Sequence, residues 1–302
     1  MTLIWTSYTL LLRYTRTTVS QDQLYLASTV VFLSECTKLV ASLICLWISH
    51  GLRFGRARDT LMADFVAKPR ELAKMSVPSL VYAVQNNLDF VALSNLDPSV
   101  YQVTTQLKVV TTAVFMVLML GRHYSPTRWV SISLLFLGVA LVQLQAASRE
   151  NRPGDNYLLG LVSVLITCVT AGFAGVYFEK MLKDGTDTPF WIRNLQMYSC
   201  GMVSAGLGCL LSESNAIREL GFFHGYDYKV LIIVGLLSMG GIYISLVMKH
   251  LDNLLKSFAS AVSIILVFLA SVYLFNVQMG LYFVVGALVV CGAILLYNSV
   301  NE

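Results

Sequence analysis

Lys108 and Lys256 each stand in a run of residues long and apolar enough to cross a membrane. A lysine near mid-bilayer depth costs about 2.5 kcal/mol or more, so each must face a cavity or a partner. Around Lys108 the stretch Val100–Thr112, VYQVTTQLKVVTT, also carries Tyr101, Gln102, Thr104, Thr105 and Gln106. On a helix Tyr101, Thr105, Lys108 and Thr112 fall at i, i+4, i+7 and i+11, one polar stripe ending in a cation. Two ammonium groups meeting at one cavity suit a dianion such as a phosphate or diphosphate. The second wall of that cavity is expected from the span holding Pro78, Asn86, Asn87 and Asp89, because a proline and bare amides are tolerated in a membrane helix only where protein or a cavity surrounds them. Asn194 and Tyr198, at i and i+4, share a helix face. Amides and tyrosines suit a planar, hydrogen-bonding partner: the ring stacks on a base and the amide reads its edge. A phosphorylated compound bearing a heterocycle answers both requirements. A second reading stands beside this one, in which the lysines pair with Asp89 and Asp252 and hold helices together. Glu35 and Lys38, at i and i+3, can pair on one helix face, for structure or for translocation. No nucleophile, acid–base pair or metal set is recognisable, so neither an enzyme nor a cofactor is expected. Cys36, Cys45, Cys168, Cys200, Cys209 and Cys291 are scattered singly and read as small core residues.

The elements that position these residues are membrane helices. Of 302 residues 56% are hydrophobic and 13% charged, with mean hydropathy +0.68, far too apolar for a soluble domain. The net charge of +4 comes from basic loops rather than a basic face, which excludes a nucleic-acid partner and leaves the lipid bilayer as the surrounding. Spans of about 20 apolar residues are what a bilayer requires, and about ten can be placed. Met1–Leu12 is the weakest, about a dozen residues before Arg13, the length of a truncated first helix. The others lie at about 24–49, 72–95, 100–120, 129–145, 157–182, 190–212, 228–248, 251–275 and 279–298. The loop 50–71 carries Arg53, Arg56, Arg58, Lys68 and Arg70, and Arg122 and Arg128 bracket another short loop. The positive-inside rule makes both cytosolic, and with ten spans both termini are cytosolic too. No Asn-X-Ser/Thr sequon occurs to mark a lumenal loop.

The polar segment around Ala147–Tyr157 divides the chain into residues 1–148, a linker 149–156, and residues 157–302. Phe136–Leu144, FLGVALVQL, echoes Val290–Asn298, VCGAILLYN, each closing the fifth helix of its half, while Lys108 and Lys256 both fall in the fourth. Five helices is an odd number, so the halves insert upside down relative to one another, the inverted-repeat plan of a secondary transporter.

Several motifs in order, PSLVYAVQNN (Pro78–Asn87), ALSNLD (Ala92–Asp97), YQVT-QLK (Tyr101–Lys108), GFAGVYFEK (Gly172–Lys180), WIRNLQMY (Trp191–Tyr198), GFFHGY (Gly221–Tyr226) and K-x-x-DN-x-x-K (Lys249–Lys256), closely resemble the Golgi nucleotide-sugar transporters of the drug/metabolite transporter superfamily. The resemblance runs over nearly the whole chain. It implies a ten-helix all-α membrane fold of two inverted five-helix repeats, a Golgi location, and exchange of a cytosolic nucleotide sugar for a lumenal nucleoside monophosphate. By that likeness Lys108 and Lys256 hold phosphate, while Tyr82, Asn86, Tyr101, Asn194, Tyr198 and Ser245 surround nucleoside or sugar. VYAVQNN, Tyr198 and GGIY look most like the CMP-sialic acid transporter, whereas KVVTTAVF and SFASAVSIIL lean towards the UDP-galactose and UDP-N-acetylglucosamine transporters. The chain departs from the family pattern at Thr105, Asp89, Ala171 and Ser257, and the lost ring at Thr105 and added charge at Asp89 put the sugar end of the pocket in question. Two rival readings are an exporter of another small solute on the same fold, and a non-transporting membrane partner of glycosyltransferases. The last helix carries glycine on an apolar face suited to a homodimer.

Overall fold

The computed structural model describes residues 1–18, 23–96, 101, 104–145, 157–183, 188–275 and 280–299, and among these there is no strand. The helices are α1 (Thr2–Thr18), α2 (Ala27–Ser49), α3 (Phe54–Leu61), α4 (Pro69–Asn95), α5 (Lys108–Leu120), α6 (Pro126–Gln145), α7 (Tyr157–Lys183), α8 (Phe190–Ser212), α9 (Ser214–Leu220), α10 (Tyr228–His250), α11 (Asn253–Phe275) and α12 (Leu281–Ser299). Five of them are long and apolar enough to cross a bilayer: α2, α7, α10, α11 and α12; α8 and α9 reach that length and apolarity together, as a pair bent by 78°. Three shorter apolar helices, Thr2–Leu12, Thr105–Leu120 and Pro126–Val142, accompany them. This is a multi-pass membrane protein.

Local chemistry sets the helix ends. Pro126 opens α6, where its missing N–H is no loss, and Ser125 Oγ accepts the Arg128 N–H at 3.3 Å. Asp227 Oδ1 caps α10 through the Val230 N–H at 2.9 Å, and Asp252 Oδ1 caps α11 through the Leu255 N–H at 2.7 Å. Gly121, at φ +63°, closes α5 in the left-handed conformation that a Cβ disfavours. Two local differences from the sequence expectation stand out. The basic segment 50–71 is not simply a loop, since α3 and a π-turn over Met62–Val66 occupy most of it, with Leu61 and Phe65 packed beside Leu46, Ile192 and Leu195. The expected stripe through Lys108 is not one continuous α-helix either, because a 3₁₀ turn over Thr105–Leu107 precedes α5.

The chain divides into two compact units, each drawn from both halves of the sequence. One holds residues 3–80 and 181–250, the other residues 81–180 and 251–302. The boundary thus falls inside α4, just past Pro78, and inside α7. In the first unit α2 packs along α8 and α10. In the second, α6 and α12 make the closest pair. A Cβ at Gly286 would lie 2.7 Å from the Gly138 carbonyl oxygen, so these two helices meet backbone to backbone. The core of this unit joins Val109, Met116, Leu135, Val176, Phe258 and Val290. The segment 149–156 lies outside the described residues.

Candidate functional site

The second unit contains a cavity of about 240 Å³ whose polar lining comes from Tyr82, Gln85, Gln106, Lys108, Thr112, Asn253, Lys256, Ser257 and Ser260. Both lysines named from the sequence therefore reach one cavity. The first turn of α5 supplies Lys108, and Thr112 follows one turn later, its Oγ1 bonded to the Lys108 carbonyl at 2.7 Å. From α11 come Asn253 and Lys256 in the first turn and Ser260 one turn beyond Lys256, at i, i+3 and i+7 on one face. Lys256 is half-buried, and there the Lys108 ammonium repels its charge while the Glu179 carboxylate attracts it. Two cations facing one cavity favour an anion that bridges them. The volume is below the range of about 300–1,000 Å³ usual for small-molecule sites, so this cavity suits a fragment the size of a diphosphate rather than a whole nucleotide sugar.

The other expected residues fall as follows. Tyr82 lines the cavity with the lysines. Tyr101 instead packs with Leu107 against Ala92, Leu96, Val164 and Cys168. The Asn86 and Asp89 side chains lie outside the described residues. Asn194, Tyr198 and Ser245 belong to the first unit. Gln85 and Gln106 also line the cavity and were not among the site residues expected from the sequence; Gln85 follows Tyr82 at i+3, and that shared helix face is the signal that names it. Two departures from the family pattern, Ala171 and Ser257, line this same cavity. Asp252 is engaged in its helix cap.

In the first unit α2 and α8 build a second polar cluster. Lys38 and Glu35 are paired at 2.5 Å, and the Lys38 ammonium lies 5.0 Å from the Tyr198 ring centroid, within cation–π range. Glycines make room for the pair. A Cβ at Gly201 would lie 2.7 Å from Glu35 Oε2, and one at Gly241 would lie 2.7 Å from Lys38 Cδ. Tyr198 and Asn194 are buried one helical turn apart; among the described residues the Asn194 Oδ1 has no hydrogen-bond partner. Asn194 Nδ2 is satisfied by the Phe190 carbonyl at 3.1 Å. Ser245, beside Tyr198, gives its proton to the Ile242 carbonyl at 2.8 Å. Buried polar atoms without partners are uncommon, and each calls for an explanation such as strain, an ordered water or a ligand.

At the end of the second unit, in the turn between α5 and α6, Tyr124 reaches Met116 Sδ at 3.4 Å and meets the Trp129 ring edge-on. Burial, and after it the neighbouring Tyr297 and Asp252, pushes the Tyr124 phenol well above its ordinary value of 10.0, against the pull of Arg122.

A profile of nucleotide-sugar transporters matches residues 1–298. The chain belongs to the nucleotide-sugar transporter family. This transporter is 55% identical over 308 residues to the UDP-galactose translocator 1 of Caenorhabditis elegans, an alignment that takes in 100% of this chain and 86% of the relative. It is 39% identical over 299 residues to the human UDP-N-acetylglucosamine transporter, with 97% of this chain and 91% of that one aligned. A solved crystal structure with 14% identity superposes at a TM-score of 0.67 over 98% of this chain and 97% of the other, a likeness of fold alone. The family and these relatives are transporters rather than enzymes.

Proposed function

We propose that the transporter carries a UDP-sugar, UDP-galactose or UDP-N-acetylglucosamine, into the Golgi lumen in exchange for a nucleoside monophosphate. It does so by alternating access, on ten helices arranged as two inverted repeats, residues 1–148 and 157–302, with both termini cytosolic. The observation that carries this reading is the convergence of Lys108 and Lys256 on one cavity. A diphosphate placed there replaces a repulsion with two charge-assisted contacts. The remaining roles are Tyr82, Asn86, Tyr101, Asn194, Tyr198 and Ser245 against nucleoside or sugar; the buried, unpartnered Asn194 oxygen supports one of them. Exchange follows from a site that binds the nucleotide moiety common to substrate and product. Whichever form is bound lowers the cost of passing between inward- and outward-open states. The names borne by the relatives favour a UDP-sugar over CMP-sialic acid.

Proteoliposomes preloaded with UMP or CMP, and offered labelled UDP-galactose, UDP-N-acetylglucosamine and CMP-sialic acid, test the reading. The expected result is uptake of a UDP-sugar stimulated by internal UMP. Stimulation by CMP of CMP-sialic acid uptake alone would reverse the substrate assignment, and no stimulation by either nucleotide from correctly inserted protein would remove the antiport.

A further inference from the structure

The motif GFAGVYFE in α7 touches no substrate in the reading above, yet it meets both helices that carry the lysines. Cys168, Gly172, Gly175 and Glu179 fall at i, i+4, i+7 and i+11 and so form one face of α7. Its early part meets the start of α5. Thr111 Oγ1 lies 2.7 Å from the Cys168 carbonyl and 3.1 Å from that of Lys108, and Cys168 Sγ points at the Thr104 carbonyl at 3.5 Å. At Gly172 a Cβ would stand 2.9 Å from the Thr112 backbone nitrogen, so only a hydrogen lets α7 approach this closely. The later part of the face meets the start of α11. A Cβ at Gly175 would overlap the Asn253 side-chain amide, and the Asn253 N–H donates to Glu179 Oε2 at 2.7 Å. Glu179 is 0% exposed, a carboxylate held inside the unit at a helix N-terminus, where negative charge is favoured. Lys256 follows Asn253 by three residues on the same helix face.

We propose that this face of α7 is a bracket that sets the separation of Lys108 and Lys256, and that Glu179 is the positioning residue for Lys256. The inference rests on the phosphate-binding reading of the two lysines. Its physical basis is that two ammonium groups repel and cannot choose their own spacing, whereas binding a diphosphate needs that spacing held to about 0.5 Å. The scaffold must impose it. Cys168 and Gly172 fix the height of Lys108, Gly175 and Glu179 fix that of Lys256, and one stiff helix joins the two anchorages.

The test separates reach from charge. Glu179→Asp keeps the charge but is one methylene too short for the Asn253 N–H; Glu179→Gln keeps the reach and an accepting oxygen but loses the charge. In proteoliposome uptake of the UDP-sugar, with internal UMP, Glu179→Asp is expected to raise KM at least about tenfold, the size of one lost hydrogen bond to a charged group, with the maximal rate per folded molecule within about threefold. Glu179→Gln should raise KM by at least threefold less than Glu179→Asp. Gly175→Ala, which displaces Asn253 without touching Glu179, should also raise KM, and it carries the test if Glu179→Asp does not fold. A merely structural role would lower the yield of folded protein or the maximal rate and leave KM alone. If Lys256→Met loses affinity while Glu179→Asp and Gly175→Ala keep the wild-type KM, or if the Gln variant is the worse of the Glu179 pair, the bracket is wrong. If Lys256→Met itself keeps the wild-type KM, the failure lies in the phosphate reading.

Discussion

Replacing Lys256 by Met gives opposite signs for empty and loaded protein. In the empty cavity the Lys256 ammonium faces Lys108 and gives up solvent, with Glu179 as a compensating charge. Methionine nearly preserves the side-chain volume, so little packing is lost. Exchanging an opposed, partly buried cation for an apolar chain should leave the unliganded protein as stable as the wild type or more so. Binding behaves otherwise. A ligand present at 100 times its Kd stabilises by about 2.7 kcal/mol. Losing one charged contact to phosphate costs about 1.5–3 kcal/mol, which at the same ligand concentration leaves only about 0.3–1.3 kcal/mol of stabilisation. Thermal unfolding of the purified protein with and without UMP reads both quantities at once. The expected pattern is an unchanged or raised midpoint without UMP and a UMP-induced shift cut to half or less. A midpoint lowered without nucleotide, together with an intact UMP shift, would refute the reasoning and make Lys256 a helix-holding ion-pair partner.

Tyr198→Phe removes a buried hydroxyl beside Ser245; empty-protein stability should change by no more than about 1 kcal/mol, while the KM for substrate rises severalfold, measured by thermal unfolding and uptake. Gly286→Ala puts a methyl 2.7 Å from the Gly138 carbonyl oxygen and 2.8 Å from the Val142 nitrogen, and since backbone atoms cannot swing aside, overpacking should cost about 1–3 kcal/mol and lower the unfolding midpoint. Tyr124 holds its proton more tightly in the folded than in the unfolded chain. A raised folded pKa adds stability below the unfolded value of about 10 that is lost as pH climbs above it, so midpoints followed from pH 8 to 11 should fall less steeply in Tyr124→Phe than in the wild type.

Where hydropathy and helix punctuation agree, the elements were legible in the amino-acid order. The expected span 190–212 coincides with α8, and the expected 228–248 and 251–275 miss α10 and α11 by at most two residues at any end. The turn over Thr105–Leu107 was not legible, because VTTQL contains neither glycine nor proline and its polar spacing suits an unbroken helix equally well. Nor was α3, since an eight-residue helix amid arginines has no apolar period long enough to notice. Among the site residues, i+3 and i+4 spacing reveals pairs within a helix, which is why Glu35 with Lys38 and Asn194 with Tyr198 could be read. That Lys38 lies over the Tyr198 ring depends on how α2 packs on α8, and no spacing within either helix carries that information.

The same packing argues for where the phosphate goes. Lys38, Lys108 and Lys256 are all cations on helices of this membrane fold, and on charge alone any of them could receive it. Lys38 already has a carboxylate at 2.5 Å and an aromatic face over its ammonium. A phosphate arriving there must displace Glu35 or share the cation with it, and either course leaves a buried carboxylate repelled by the ligand. Lys108 and Lys256 instead face one cavity. Their mutual repulsion is relieved by an anion between them, and Glu179, whose oxygen is committed to the Asn253 N–H, stays with the helix end rather than moving into the cavity. An anionic ligand therefore gains more in the second unit.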